Sequence, residues 1–335
     1  MQPRHGRYHR RMQFIDAPTT RAALPFDRLI DALRERFAGG CEVPARHVHD
    51  INNPPGEDGG DAASRRMTSL LMPAWLPGRY YGVKIVNIAP GNAKRGLPGL
   101  HSSYLLFDAR TGAPLAHIDG DEITQRRTAA ASALAASYLA RPDARHLLVV
   151  GAGRVAQLLP AAYHAVRPLS QVTVWARRPE EAQAMAAQVR ASGLPASAST
   201  DLEAACREAD MVSCATLSTE PLVRGAWLAP GSHLDLIGSF TPAMREADDA
   251  CFEGARLFVD TDEALQKSGD LLVPLAHGVL RADEVRGTLT TLCKGVATGR
   301  RTAQERTVFK SVGTALEDLA AAVLVYESSG ASSRS

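Results

Sequence analysis

The sequence predicts a two-domain α/β protein, with an α+β part followed by a doubly wound parallel sheet. Three observations predict it. The chain has 335 residues, more than one ordinary hydrophobic core organises, so two domains are expected. Four apolar residues, Leu147-Leu148-Val149-Val150, run straight into Gly151-Ala152-Gly153 and a helix-like stretch. That is the pattern of a buried parallel strand, a tight turn and a helix start. From there strand-like and helix-like segments alternate, as a doubly wound sheet requires.

In chain order, residues 1–11 are basic and lack apolar periodicity. They read as a disordered leader. A mitochondrial presequence is the alternative, disfavoured because no amphipathic stripe accompanies the arginines. The spacing of Phe26, Leu29, Ile30, Leu33 and Phe37 predicts a helix ended by Gly39-Gly40. Residues 43–48 read as a short strand carrying Pro44 and Arg46, and 52–61, rich in Pro, Gly and acid, as a surface loop. Strand-like pieces follow at 69–72, 81–88 and 103–107, with a hairpin turn at 108–112 returning into 114–118. This part is therefore an antiparallel or mixed α+β domain. Residues 91–99 are a glycine-containing loop, and 121–140 an alanine-rich helix broken by Pro142.

After the glycine turn, strands are expected at 171–175, 210–215, 233–238 and 257–259. Pro179 with Glu180 and Glu181 opens one helix, and Thr200-Asp201-Leu202-Glu203 reads as a capping box opening another. Residues 303–326 read as helical, following the completed sheet and packing back on the first domain, before a polar tail.

Bulk composition narrows the function. Hydrophobic residues are 45% and charged residues 22%, a globular balance. A net charge of +2 gives no electrostatic case for nucleic acid. The five cysteines, Cys41, Cys206, Cys214, Cys251 and Cys293, have no metal-ligand spacing and read as reduced thiols of a cytoplasmic protein, with no metal expected. No apolar run reaches membrane-spanning length, so no membrane partner is expected.

The glycine turn carries the first chemistry. Gly151 permits the sharp turn, Gly153 a close backbone approach, and Ala156 close packing of helix on strand. Amides at Arg154 and Val155, at the helix start, suit a diphosphate. The alternative is a glycine turn with no nucleotide. The second strand ends Trp175-Ala176-Arg177-Arg178, where NAD-binding folds usually place a ribose-binding acid. Two guanidiniums there suit a 2′-phosphate, so NADP(H) is preferred and NAD(H) remains possible. The alternative is two solvated surface arginines. Ala215, Thr216 and Gly238, at the ends of later strands, complete the expected cofactor edge.

A second set is cationic: Arg46, Lys84 and Arg127. Lys84 lies in the apolar strand Tyr81-Gly82-Val83-Lys84-Ile85-Val86. It reads equally as a solvent-facing residue of a two-sided strand or as a buried ammonium with an anionic partner. Three cations facing a nicotinamide would form a carboxylate pocket.

With these motifs in view, the chain resembles the ornithine cyclodeaminase/μ-crystallin family. The resemblance spans about 44–321. It rests on Tyr81-Gly82-Val83-Lys84, Gly96-Leu97-Pro98, Tyr104-Leu105-Leu106-Phe107-Asp108, Asp119-Gly120, Arg127-Thr128-Ala129-Ala130, Gly151-Ala152-Gly153 and Phe309-Lys310-Ser311-Val312-Gly313. It implies a homodimer in which a Rossmann NAD(P)-binding domain, 126–299, is inserted into an α+β substrate-binding and dimerisation domain, 12–125 plus 300–328, with a tail at 329–335. It also implies that Arg46, Lys84 and Arg127 bind the carboxylate of a small amino or imino acid, with Lys84 and Arg127 catalytic.

Family members include cyclodeaminases, alanine dehydrogenases, ketimine reductases and pyrroline-2-carboxylate reductases. One departure separates these activities. Cyclodeaminases carry an aspartate where this chain has Phe240, in Gly238-Ser239-Phe240-Thr241-Pro242. Phenylalanine accepts no proton but packs against an apolar substrate ring. The expected activity is reduction of small cyclic imino acids, with hydride transfer to the α-carbon. The alternatives are ornithine cyclodeaminase, with Glu246 or Asp235 as replacement base, an alanine dehydrogenase-like enzyme, and a non-catalytic NADPH-binding protein.

Overall fold

The computed structural model describes residues 12–52, 54 and 66–332. The leader 1–11 and most of the expected loop 52–61 therefore lie outside the described residues. The chain divides into two compact units. One comprises Met1–Pro25, Cys41–Thr124 and Asp318–Ser335; the other comprises Phe26–Gly40 and Gln125–Glu317.

The first unit is a six-stranded mixed sheet. Its strands are β1 (Gln13–Ile15), β2 (His47–Asn52), β3 (Arg66–Leu76), β4 (Tyr80–Ile88), β5 (Leu100–Asp108) and β6 (Pro114–Asp119), ordered β1-β6-β5-β4-β3-β2. Only β1 pairs in parallel, with β6; the other pairs are antiparallel. Alternation sets the buried face: Met72 and Ala74 on β3, Lys84 and Val86 on β4, Tyr104 and Leu106 on β5, Ala116 and Ile118 on β6. The Asp318-onward part of the terminal helix, Ala315–Ser332, packs on that face, through Asp318 to Lys84 and through Tyr326 to Tyr80. The expected strand at 43–48 is not formed. Pro44 lacks an amide donor, only Glu42 bridges to Trp75, and β2 starts at His47. Helix α1 (Ala17–Ala23), not foreseen from the sequence, is capped by the Asp16 carboxylate on the Thr19 amide at 2.9 Å.

The second unit is an eight-stranded parallel sheet. Its strands are β7 (His146–Val150), β8 (Gln171–Trp175), β9 (Ala196–Ala198), β10 (Met211–Cys214), β11 (His233–Leu236), β12 (Arg256–Val259), β13 (Val285–Thr288) and β14 (Thr307–Lys310), ordered β13-β12-β14-β11-β10-β7-β8-β9. Leu148, Val150, Val212, Leu234, Leu257 and Val308 form its buried core. The main helices are α2 (Phe26–Gly39), α3 (Gly120–Leu139), α4 (Leu159–His164), α5 (Pro179–Ala191), α6 (Leu202–Glu208) and α7 (Gly269–Ala276). The unit boundary falls within α3, after Thr124.

Three expectations are corrected here. Residues 303–326 are not one helix, nor do they follow a finished sheet: β14 sits between β11 and β12. Thr307, Val308, Phe309 and Lys310 are all buried, and a short run buried on both faces has no amphipathic period to betray a strand. The helix starts only at Ala315 and runs through Ser332, into the expected tail. The N-cap of α6 is Asp201, whose carboxylate accepts from the Ala204 amide at 3.0 Å, rather than Thr200. Finally, the glycine turn leads into a 3-10 turn, Ala156–Leu158, and only then into the six-residue α4. The helix dipole aimed at the turn is correspondingly small.

Candidate active site

Ligands in open parallel sheets bind outside the carboxyl ends of the strands, where the strand order reverses. Here the order reverses at β7, flanked by β8 and β10. The chain leaves β7 at Gly151, whose amide donates to the Trp175 carbonyl at 2.8 Å. The Ala215 amide donates to the Val150 carbonyl at 2.9 Å, and the Ile237 amide to the Cys214 carbonyl at 2.9 Å. Gly151, Ala176, Ala215, Thr216 and Gly238 therefore share one edge of the sheet. Gly151 has φ +117°, and a Cβ there would lie 2.7 Å from the Ala215 carbonyl oxygen. A Cβ on Gly153 would instead project into open space, the space a pyrophosphate needs to approach the backbone. The residues present thus fit a dinucleotide. Arg154 is exposed and Val155 half-buried. Arg177 and Arg178 are both exposed beyond β8, and Arg178 pairs with Glu181.

Glu246 joins two loops of this edge and was not recognised for that role from the sequence. Its Oε1 accepts from the Thr216 amide at 2.6 Å and from Thr216 Oγ1 at 2.8 Å, while Oε2 accepts from the Gly238 amide at 2.7 Å. Burial pushes its carboxyl pKa up. Asp270 at the start of α7 in turn accepts the Glu246 and Ala247 amides at 2.8 and 3.1 Å. Asp235 is equally committed, accepting from Ser132 Oγ at 3.1 Å, Tyr163 Oη at 2.9 Å and Ser213 Oγ at 2.5 Å. Burial raises its pKa to about 6. Both carboxylates are fully buried and surrounded by donors, so neither presents a basic oxygen to a substrate. Two large apolar side chains are exposed on these loops: Phe240, 43% exposed after β11, and Leu217, 76% exposed after β10.

The structure decides between the two readings of Lys84. The side chain is buried, and Nζ lies 2.8 Å from Asp318 Oδ1 and 2.7 Å from Oδ2. Arg127 is likewise buried, with Nη1 2.6 Å from Glu317 Oε2. The backbone of Gly313 passes directly against its guanidinium. Asp260 fixes that turn by accepting the Val312 and Gly313 amides at 2.8 and 2.6 Å. Arg46 is half-buried in the irregular segment before β2. Lys84 and Arg46 belong to the first unit; Arg127, Phe240 and the cofactor-edge residues belong to the second. Sequence reasoning missed Glu317 and Asp318. A signal existed, because they are the only charges in the apolar stretch 315–326.

Among the described residues, no group of three His, Cys, Asp or Glu is placed to hold a metal ion, and no helix is long and apolar enough to cross a membrane.

Known proteins share this architecture over nearly its whole length. A Delta(1)-pyrroline-2-carboxylate reductase of Paracoccus denitrificans is 41% identical, with 92% of this chain and 94% of that protein covered. The solved structure of the Thermococcus litoralis Delta(1)-pyrroline-2-carboxylate reductase, in complex with NADH and L-proline, superposes with a TM-score of 0.86 at 32% identity, covering 94% of this chain and 97% of that one. An archaeal alanine dehydrogenase dimer with bound NAD gives a TM-score of 0.86 at 28% identity, covering 96% and 97%. The model of the ornithine cyclodeaminase/mu-crystallin family matches residues 60–333. With that match spanning both the buried cations and the glycine turn of the parallel sheet, the chain belongs to this family.

Proposed function

We propose that this protein is an NAD(P)H-dependent reductase of small cyclic imino acids of the pyrroline-2-carboxylate type. The observation that carries the choice among family activities is Phe240, an exposed apolar ring where cyclodeaminases have an aspartate. Cyclodeamination needs a neutral amine as nucleophile, and an amine near neutral pH is almost wholly protonated without a placed base. Phe240 supplies none, and Glu246 and Asp235 are engaged elsewhere. A preformed imine needs no such base, and an apolar ring stacks comfortably beside Phe240 and Leu217.

In this reading Arg46, Lys84 and Arg127 receive the substrate carboxylate, and Phe240 bounds the ring. Gly151, Gly153, Arg154, Val155, Ala176, Ala215, Thr216 and Gly238 hold the cofactor. When bound, the reduced nicotinamide supplies hydride to the imine carbon. The ammonium of Lys84 supports the negative end of the substrate. Arg177 and Arg178 favour a 2′-phosphate and hence NADPH; NADH is the second reading, because the Thermococcus relative was solved with it.

A homodimer is part of the proposal. The face of the first unit's sheet opposite the terminal helix carries Trp75, Tyr81 and Phe107, with Tyr81 stacked on Phe107 at 5.5 Å, and Phe14 77% exposed beside His117. An apolar face of this kind calls for a cover. Light scattering at micromolar concentration should give twice the chain mass; a monomer would contradict this.

The deciding experiment is cofactor oxidation with pyrroline-2-carboxylate and piperideine-2-carboxylate beside an ornithine-to-proline assay. Imine reduction with negligible proline formation from ornithine is expected. Ornithine turnover at a matching rate would overturn the reading.

A further inference from the structure

We propose that Glu246 is a positioning residue of the dinucleotide site: its carboxylate ties the loop after β10 to the loop after β11, and so sets the edge that takes the nicotinamide half of the cofactor. This rests on the reading that this edge of the parallel sheet holds NAD(P)H.

The strand order assigns the halves. The glycine turn after β7 faces the pyrophosphate, and the end of β8 takes the adenosine ribose. β10 and β11 lie on the other side of β7, so their loops remain for the nicotinamide half. All of these residues belong to the second unit.

Glu246 holds both loops at once. Its side chain accepts from the Thr216 amide and hydroxyl on one loop, at 2.6 and 2.8 Å, and from the Gly238 amide on the other, at 2.7 Å. The Thr216 hydroxyl itself accepts from the Ser218 amide at 3.2 Å, so its own proton is free to point at Glu246. The Glu246 carbonyl accepts the Leu222 and Val223 amides at 2.9 and 3.0 Å, and the Arg245 amide donates to the Ser218 carbonyl at 2.9 Å. The loop after β10 is thus tied at its start, at Ser218 and at its end, with the exposed Leu217 held between two fixed neighbours. The two loops also touch, since a Cβ on Gly238 would collide with the Thr216 carbonyl. At the start of α7, Asp270 accepts the Glu246 amide at 2.8 Å and the Gly269 amide donates to the Thr241 carbonyl at 3.1 Å. The residue after Phe240 is therefore anchored as well.

The arrangement requires a carboxylate. Three donors converge on its two oxygens. An amide of the same size offers one acceptor oxygen, and its NH2 group would oppose a donor. Leaving a buried donor unpaired costs more than an ordinary hydrogen bond contributes. Burial disfavours the charge on Glu246, and the ammonium of Lys310, buried 3.5 Å from Asp270, favours it.

The test compares each cofactor with the same molecule lacking its nicotinamide: NADH with ADP-ribose, and NADPH with 2′-phospho-ADP-ribose. Both are titrated calorimetrically into full-length wild type and Glu246→Gln. Kd for the cofactor should rise roughly tenfold, with Kd for the fragment unchanged, because the fragment reaches only the ends of β7 and β8. Should Glu246→Gln fail to fold, Glu246→Asp keeps the charge on a side chain too short to span both loops, and should show the same split. Equal weakening of cofactor and fragment would make Glu246 a support of the whole domain, and an unchanged cofactor Kd in a folded variant would put the nicotinamide elsewhere; either overturns the proposal. Failure of the underlying reading looks different: the wild type would then bind neither NADH nor NADPH saturably.

Discussion

Replacing Gly313 by alanine probes how tightly Arg127 is held. Gly313 has φ +77°, and a Cβ there would lie 2.7 Å from Arg127 Nη1, 2.9 Å from Nη2 and 3.2 Å from Cζ. The turn cannot retreat easily, because Asp260 accepts its two amides at 2.8 and 2.6 Å. The guanidinium cannot yield without loosening its 2.6 Å hydrogen bond to Glu317. Two separable costs follow. The left-handed backbone costs an alanine about 1–2 kcal/mol, which lowers Tm by roughly 2–4 °C per kcal/mol in a domain of this size. Displacing the guanidinium costs about one charge-assisted hydrogen bond to the substrate, about 1.5–3 kcal/mol, or roughly 10- to 150-fold in kcat/KM. The assay is steady-state reduction of pyrroline-2-carboxylate beside NADPH affinity by fluorescence titration and a thermal melt. An unchanged KM for the imine, or a Kd for NADPH that worsens as much as KM does, would refute the reasoning, since Arg127 would then not touch the substrate.

Three other substitutions have defined outcomes. Removing both guanidiniums in Arg177→Ala/Arg178→Ala should weaken NADPH by about 1.5–3 kcal/mol for each hydrogen bond to the 2′-phosphate and leave NADH little changed; equal affinity of the wild type for the two cofactors would contradict the phosphate role. Asp235 has its pKa raised to about 6 by burial, so the folded state binds the proton more tightly than the unfolded chain. Its contribution is full below the ordinary aspartate range and is lost as pH rises through about 6, on the order of 2–3 kcal/mol. Urea melts between acid and neutral pH should therefore show a fall in stability that Asp235→Asn removes, and an identical pH dependence in both proteins would count against it. Phe240→Asp should raise the ratio of ornithine turnover to imine reduction, by up to roughly the 10²–10⁴ that a general base supplies; a ratio that does not move would mean that position 240 does not face the substrate.

Much of the second unit was legible because its signals are local. The run Leu147–Val150, the turn at Gly151 and the proline-led helix at Pro179 are each complete within a few residues, and the structure places all three where periodicity and turn chemistry put them. The fold was misread where a segment's neighbours lie far away in sequence. β14 has four residues, all buried. Only its pairing with β11 and β12 shows that it completes the sheet rather than following it. In the first unit, Pro44 removed a donor from the expected strand, and pairing began three residues later.

The same divide between local and distant runs through the site. Gly151 and Gly153 announce their role by spacing, since the demand on them is made by the adjoining backbone. Lys84 announced only a need: an ammonium in an apolar strand requires either solvent or an anion, and periodicity could not choose. Its partner, Asp318, stands 234 residues away. That distance has a mirror in the helix, where Glu317 and Asp318 interrupt the stretch from Ala315 to Tyr326 with two buried charges. Each unexplained cation upstream and each unexplained anion downstream is costly alone, and pairing offsets both costs. Charge in an apolar segment is therefore readable as half of an ion pair, and a chain holding two such cations and two such anions carries enough to match them as a set before any coordinate is known. What it does not carry is the geometry of the pairing, in which Lys84 meets Asp318 and Arg127 meets Glu317.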